Sequence, residues 1–187
     1  MAGMKHVGMV LAAGASSRMG RPKALLPAEG GRPLACVQAG LLRAGGCARV
    51  VVVLGADFDR IAPQLAGEEV VRNPEWEKGR FTSVQTGLRA LGDSDGCVIL
   101  PVDAVGLRVE TVRAVLARAE TGIAPAVRPT WRGQDGKLLW ISRALAEEWR
   151  REPAGDQRLD DRVRARVERV AVDDPALLSN VNTPEDL

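Results

Sequence analysis

At 187 residues the chain is long enough to bury one sizeable core, and a single domain over residues 1–187 is the expectation. An apolar share of 45% and a charged share of 27% are those of a globular protein. Net charge is only +2, with two Phe, four Trp and no Tyr, so neither a basic field nor stacking platforms point to nucleic acid as a partner.

In chain order, His6 to Ala12 is an apolar run of strand length. His6, the only histidine, starts it and is expected at a surface or edge position. The run breaks into Gly14, Ala15, Ser16, Ser17 and Gly20, with Arg18 and Lys23 set among them. Small residues let a backbone curl tightly, and the N–H groups of such a turn form a nest for anions. Two cations in the same loop add charge where a polyphosphate lies. Neither common phosphate pattern is present: Lys23 follows Gly20 by three residues, with Ala24 after it, and no Gly-x-Gly-x-x-Gly follows the strand.

Pro33 to Ala44 has helical spacing (Leu34, Val37, Leu41, Leu42), and Gly45 and Gly46 stop it. Val50 to Leu54 reads as a strand buried on both faces of a parallel sheet. Asp57 is an expected N-cap for a short helix to Leu65, and Val70 to Arg72 a third strand closed by Asn73 and Pro74. From Gly79 to Leu91 small polar residues lead into an amphipathic helix, with Ser83 and the cation Arg80 near its start. Cys97 to Asp103 is an apolar run that delivers one carboxylate at its C-terminal end, where open α/β sheets bind ligands. Magnesium prefers such a carboxylate with water and phosphate oxygens. Val109 to Ala119 is a helix, Ile123 to Val127 a strand, Ser142 to Arg150 a helix and Val170 to Val172 a last strand. The charged block from Asp156 to Arg169 reads as a solvated helix face. Thr183 is an expected N-cap, ahead of Pro184.

The three cysteines, Cys36, Cys47 and Cys97, include no C-x-x-C pair, which argues for buried thiols in a reducing cytoplasm. No signal pattern or run of ~20 apolar residues is seen, so no membrane partner is expected.

Leu11, Gly14, Arg18, Met19, Gly20 and Lys23 fit the pattern Leu-x-x-Gly-x-x-x-Arg-Met-Gly-x-x-Lys. With Leu100 to Asp103 and the ending Asn182 to Leu187, the chain resembles the molybdopterin nucleotidyltransferases. The resemblance implies a three-layer α/β fold, mostly parallel, with helices on both faces of a Rossmann-like sheet. It implies catalysis by Arg18, Lys23 and Asp103, and nucleotide contacts from Leu11, Ala12, Ala13, Gly14, Ser16, Ser17, Gly20 and Ser83. It also implies Mg²⁺ held by Asp103 and Asn182. Leu11-Ala12-Ala13-Gly14 is similar to the cytidylyltransferase loop and favours CTP, whereas the ending is nearer the guanylyl branch. Two departures stand out. Asp103 is followed by Ala104 and Val105 where the family has Asp-x-Pro, and Gly136-Lys137-Leu138 replaces Gly-His-Pro.

Three readings stay open at this point. In the first, CMP moves from CTP to molybdopterin with release of pyrophosphate, and a molybdoenzyme apoprotein or chaperone is a further partner compatible with the family. In the second, the acceptor is a sugar phosphate or methylerythritol phosphate. In the third, the chain is a non-catalytic nucleotide-binding accessory protein.

Overall fold

The computed structural model describes residues 4–16, 20–153 and 158–181. Its centre is an eight-stranded sheet in the order β3-β2-β1-β4-β7-β5-β6, with β8 also pairing β5. The first four strands, β1 (His6–Ala12), β2 (Arg49–Leu54), β3 (Glu69–Arg72) and β4 (Gly96–Pro101), are mutually parallel. Next to β4 lies β7 (Leu139–Ser142), antiparallel to it and to β5 (Ala126–Trp131). The short β6 (Gln134–Asp135) folds back on β5, and β8 (Val167–Ala171) runs parallel to β5. Only β6 and β7 therefore oppose the common direction.

Alternate side chains of the central strands feed two separate cores. On one face Val10, Val52, Leu54, Val98 and Leu100 pack with α1 (Leu34–Gly45) and α4 (Val109–Ala119). On the other, Met9, Val51, Val53 and Ile99 pack with α3 (Arg80–Leu91) and α5 (Arg143–Arg151). Burial on both faces is why these strands read as unbroken apolar runs. The remaining helices, α2 (Phe58–Ile61) and α6 (Leu159–Val163), are single turns.

This topology fixes where a ligand goes. The chain steps outward from β1 to β2 and β3, then returns to place β4 on the opposite side of β1. The reversal makes a switch point between β1 and β4, and a crevice opens there at the carboxyl ends of the strands. The glycine-and-serine loop leaves β1 at that edge, and Asp103 follows β4 at the same edge.

Several expectations are corrected. His6 is 3% exposed, because β1 lies between β2 and β4; its Nδ1 accepts from the Trp140 indole N–H (3.3 Å), and its Nε2 lies 3.7 Å from Glu120. Asp57 gives α2 no side-chain cap; its backbone is left-handed (φ 55°) and its carbonyl accepts from Arg60 and Ile61. The fifth strand begins at Ala126, after Pro125, and Ile123 is exposed. The charged block is helical only over α6. Arg169 and Glu168 belong to an edge strand, where they point to opposite faces and pair with Asp135 and Arg118, so the strand was hidden in a run of charges. Ser17, Arg18, Asn182 and Thr183 lie outside the described residues. The three cysteines are buried and free, and burial pushes the Cys47 thiol up to about 12. Among the described residues no helix is long and apolar enough to cross a membrane.

Candidate active site

The loop after β1 is closed on itself. Ser16, in the left-handed region (φ 50°), accepts the backbone N–H of Lys23 through its Oγ (3.0 Å). Gly20 also has a positive φ (63°), so turns of that hand stand at both ends of the undescribed segment 17–19. A Cβ added to Gly14 would meet nothing within 4 Å among the described residues, so their packing does not demand a glycine there. Leu11, Ala12 and Ala13 are buried, and the Leu11 and Ala13 carbonyls accept from Val102 and Ala56.

Lys23 opens a 3₁₀ turn (Lys23–Leu25) that aims its ammonium across the switch point. Nζ lies 3.4 Å from Asp103 Oδ2 and donates to the Val181 carbonyl. The residues on which the site reading turns, 80 positions apart in sequence, thus share one crevice. Asp103 is held from below. The buried Gln38 amide of α1 donates to the Val102 (3.3 Å) and Ala104 carbonyls, and Val181 N–H donates to the Asp103 carbonyl (3.0 Å). These bonds do the fixing where the family pattern has a proline, and they bring the C-terminal segment to Asp103.

A second ammonium reaches the same carboxylate: Lys137 Nζ lies 4.0 Å from Asp103 Oδ1. Lys137 sits where the β6–β7 arm leaves its ladder. Gly136 permits this, since a Cβ there would lie 2.4 Å from Leu177. Burial, the main cause, holds the Lys137 ammonium below the ordinary lysine range; Asp103 opposes the shift, and the charges of Arg80 and Lys23 add to it. Cations outnumber the carboxylate, as expected of a place built for an anion.

Asp103 Oδ1 is buried and has no hydrogen-bond partner among the described residues. An orphaned hard oxygen fits a magnesium ion that also takes phosphate and water oxygens. Among the described residues no group of three or more His, Cys, Asp or Glu could hold a metal.

Ser83, expected among the nucleotide contacts, lies in the first turn of α3. It is 3% exposed, and its hydroxyl accepts from Asn73 Nδ2 (2.9 Å), which also bonds Thr82. It ties the end of β3 to the first turn of α3 and is not among the groups that meet at Asp103. The structure adds instead Arg80, Arg128 and Lys137, of which only Lys137 and Arg80 drew attention as cations in the sequence. Arg128 gave no signal there, because its hydrogen-bonded partner, Asp160, lies 32 positions on.

Two clefts flank this centre. One, of about 440 Å³, lies beyond the ends of β4 and β5 and is lined by Arg80, Arg128, Lys137, Asp160 and Arg164. The other, of about 580 Å³, lies beyond β2 and β3 and is lined by Ala15 of the loop with Gly55, Asp57, Phe58, Arg72 and Trp76.

A glycine loop, a lysine and a carboxylate at the switch point of a mostly parallel sheet define a Rossmann-like nucleotidyltransferase fold. Residues 8–170 match the MobA-like NTP transferase domain, and the chain belongs to that family; it is a nucleotidyltransferase by that membership. It is 38% identical over 118 residues to the nicotine blue oxidoreductase of Paenarthrobacter nicotinovorans, a stretch covering 62% of this chain and 57% of that protein. It is 23% identical over 181 residues to the molybdenum cofactor cytidylyltransferase of Escherichia coli K12, covering 95% of this chain and 91% of that one. With the probable molybdenum cofactor guanylyltransferase of Mycobacterium ulcerans Agy99 it shares 31% over 185 residues, 96% and 90% of the two chains. Among solved structures, the Rv0371c protein of Mycobacterium tuberculosis H37Rv superposes with a TM-score of 0.83 at 26% identity, covering 100% of this chain and 96% of that one.

Proposed function

We propose that this protein transfers CMP from CTP to the phosphate of molybdopterin, with magnesium, and releases pyrophosphate in the cytoplasm. The observation that carries the reading is the meeting of Lys23 and Asp103 in the crevice between two clefts. The loop from Leu11 to Gly20 would cradle the triphosphate, and the nucleoside would lie toward Phe58 and Trp76. The acceptor would enter from the Lys137 side. An acceptor phosphate oxygen forms the new bond to the α-phosphorus as the bridging bond to the β-phosphate breaks, and pyrophosphate leaves with the electron pair. Lys23 and Arg18 would offset charge on the transferring and leaving phosphates, which is the dominant contribution in such reactions. Asp103 and Asn182 would hold the magnesium ion, which supplies further neutralisation of the phosphates. The acceptor phosphate is already ionised near neutral pH, so no side-chain base is needed.

The Ala12-Ala13 loop and the cytidylyltransferase relative support CTP, whereas the guanylyltransferase relative makes GTP the natural control. Pyrophosphate release should be followed with CTP and GTP, each with molybdopterin or methylerythritol 4-phosphate. Release with CTP and molybdopterin is expected; release only with the other acceptor would move the protein to sugar-phosphate-type chemistry. Nucleotide binding without release in any pairing would make it an accessory protein.

One observation favours a second reading, an oxidoreductase: the identity to nicotine blue oxidoreductase is the highest of the three relatives, over a shorter stretch. The loop after β1 lacks a dinucleotide fingerprint, which weighs against it. Consumption of a reduced nicotinamide cofactor with nicotine blue, in the absence of any NTP, would establish it.

A further inference from the structure

Arg128 has no part in the reaction just described, yet it is a buried charge that its partners answer only in part. It projects from β5 with its side chain 8% exposed, at the cleft beside Lys137. Its Nη2 donates to Asp160 Oδ1 (2.6 Å), and its Nη1 lies 3.9 Å from Asp135 Oδ2. Its Nε is buried without a hydrogen-bond partner among the described residues. Neither partner answers it well. Asp135 is already held by two hydrogen bonds from Arg169 (2.7 and 2.9 Å), and Asp160 is 68% exposed on the single turn of α6. A buried guanidinium with an unmet donor is costly, whereas one facing a planar or tetrahedral anion is met by two donors at once. The cleft lining holds five cations (Arg80, Arg128, Lys137, Arg164, Arg169) against two acids, Asp135 and Asp160. An exposed aspartate gives up its bond at little loss, since water replaces its partner.

We infer that Arg128 is a specificity residue for the acceptor: the cleft selects a phosphorylated compound that carries a second anionic group beyond its reacting phosphate. Arg128 takes that group in exchange for Asp160, while Lys137 and Arg80 face the reacting phosphate beside Asp103. An acceptor whose remainder is neutral, such as a simple sugar phosphate, leaves Arg128 with Asp160 and gains nothing there. The inference rests on the nucleotidyl-transfer reading for its acceptor.

Two probes separate these cases: molybdopterin, whose dithiolene end is anionic, and methylerythritol 4-phosphate, whose remainder is neutral. Each should be titrated calorimetrically into wild type, Arg128→Gln and Asp160→Asn, with pyrophosphate release measured in parallel. Wild type is expected to bind molybdopterin at least about tenfold more tightly. Arg128→Gln should erase that preference, raising the KM for molybdopterin and not for CTP. Asp160→Asn should tighten molybdopterin severalfold, because it frees the guanidinium. That opposite sign is not expected of a merely structural pair, and it decides the matter even if Arg128→Gln fails to fold. Equal binding of both probes by wild type, no binding of either, or weaker molybdopterin binding by Asp160→Asn overturns the inference. The two proposals fail separately. Discrimination without pyrophosphate release removes the reaction and leaves the site, and release indifferent to both substitutions removes the site and leaves the reaction.

Discussion

The two clefts beside Asp103 differ in what they offer a ligand. The one beyond β2 and β3 has balanced charge, Asp57 and Asp59 against Arg60 and Arg72, and two aromatic rings, Phe58 and Trp76. Arg72 lies over the Phe58 ring at 5.0 Å, so part of its charge is already engaged. The one beyond β4 and β5 has no aromatic ring in its lining and an excess of cations. A planar, weakly charged base suits the first, and an anionic acceptor suits the second. The division follows the sheet: the parallel strands β2 and β3 frame the first cleft, and the reversed arm and edge strand, rich in Arg–Asp pairs, frame the second.

The largest expected effect falls on the Lys23–Asp103 pair between the clefts. Asp103→Ala should lower pyrophosphate release by about a thousandfold or more, on the scale of losing a transition-state charge partner in phosphoryl transfer, with the fold unchanged by circular dichroism. Lys23→Ala should cost roughly a hundredfold to a thousandfold in kcat. A wild-type rate in either variant contradicts the assigned roles. Third, Gly96→Ala tests the junction between the two halves of the sheet. An added Cβ would lie 2.4 Å from the Trp140 indole, the residue through which β7 packs on β4. Such overpacking should cost about 1–3 kcal/mol in urea unfolding, whereas a neutral result would mean that the arm shifts freely.

The smallest effect concerns His6 at the same junction. Burial holds its imidazole below the ordinary range, opposed by the charges of Glu120 and Asp95. The unfolded chain therefore takes up this proton first as pH falls. The stability due to the neutral ring is complete above the unfolded value near ~6.5 and is lost as pH drops toward the lowered one. His6→Gln keeps an acceptor for Trp140 and should lose less stability than wild type between about pH 8 and about pH 5. Equal losses would show that His6 contributes nothing to the slope.

The same division explains what could be read in advance. Val50 to Leu54 and Cys97 to Pro101 announce themselves because burial on both faces leaves no polar position to confuse the pattern, and the loop from Gly14 to Lys23 is a local motif. Asp103 was legible because it ends such a run. Arg128 was not, since its partner Asp160 lies 32 positions on, in a run of charges. Glu168 and Arg169 looked like helix surface because charged residues on both faces of an edge strand leave no apolar alternation to read. His6 was misplaced because the ring that accommodates it, Trp140, lies 134 residues away. Ser83 matched a family position, yet its hydroxyl is engaged by Asn73, a contact that no local pattern announces.

The most direct test of the whole account is a crystal structure with a non-hydrolysable CTP analogue and magnesium. The account predicts the triphosphate over the loop with Lys23 on its oxygens, the ion on Asp103, and cytosine toward Phe58 and Trp76. A nucleotide seated elsewhere, with Lys23 still paired to Asp103, would contradict it.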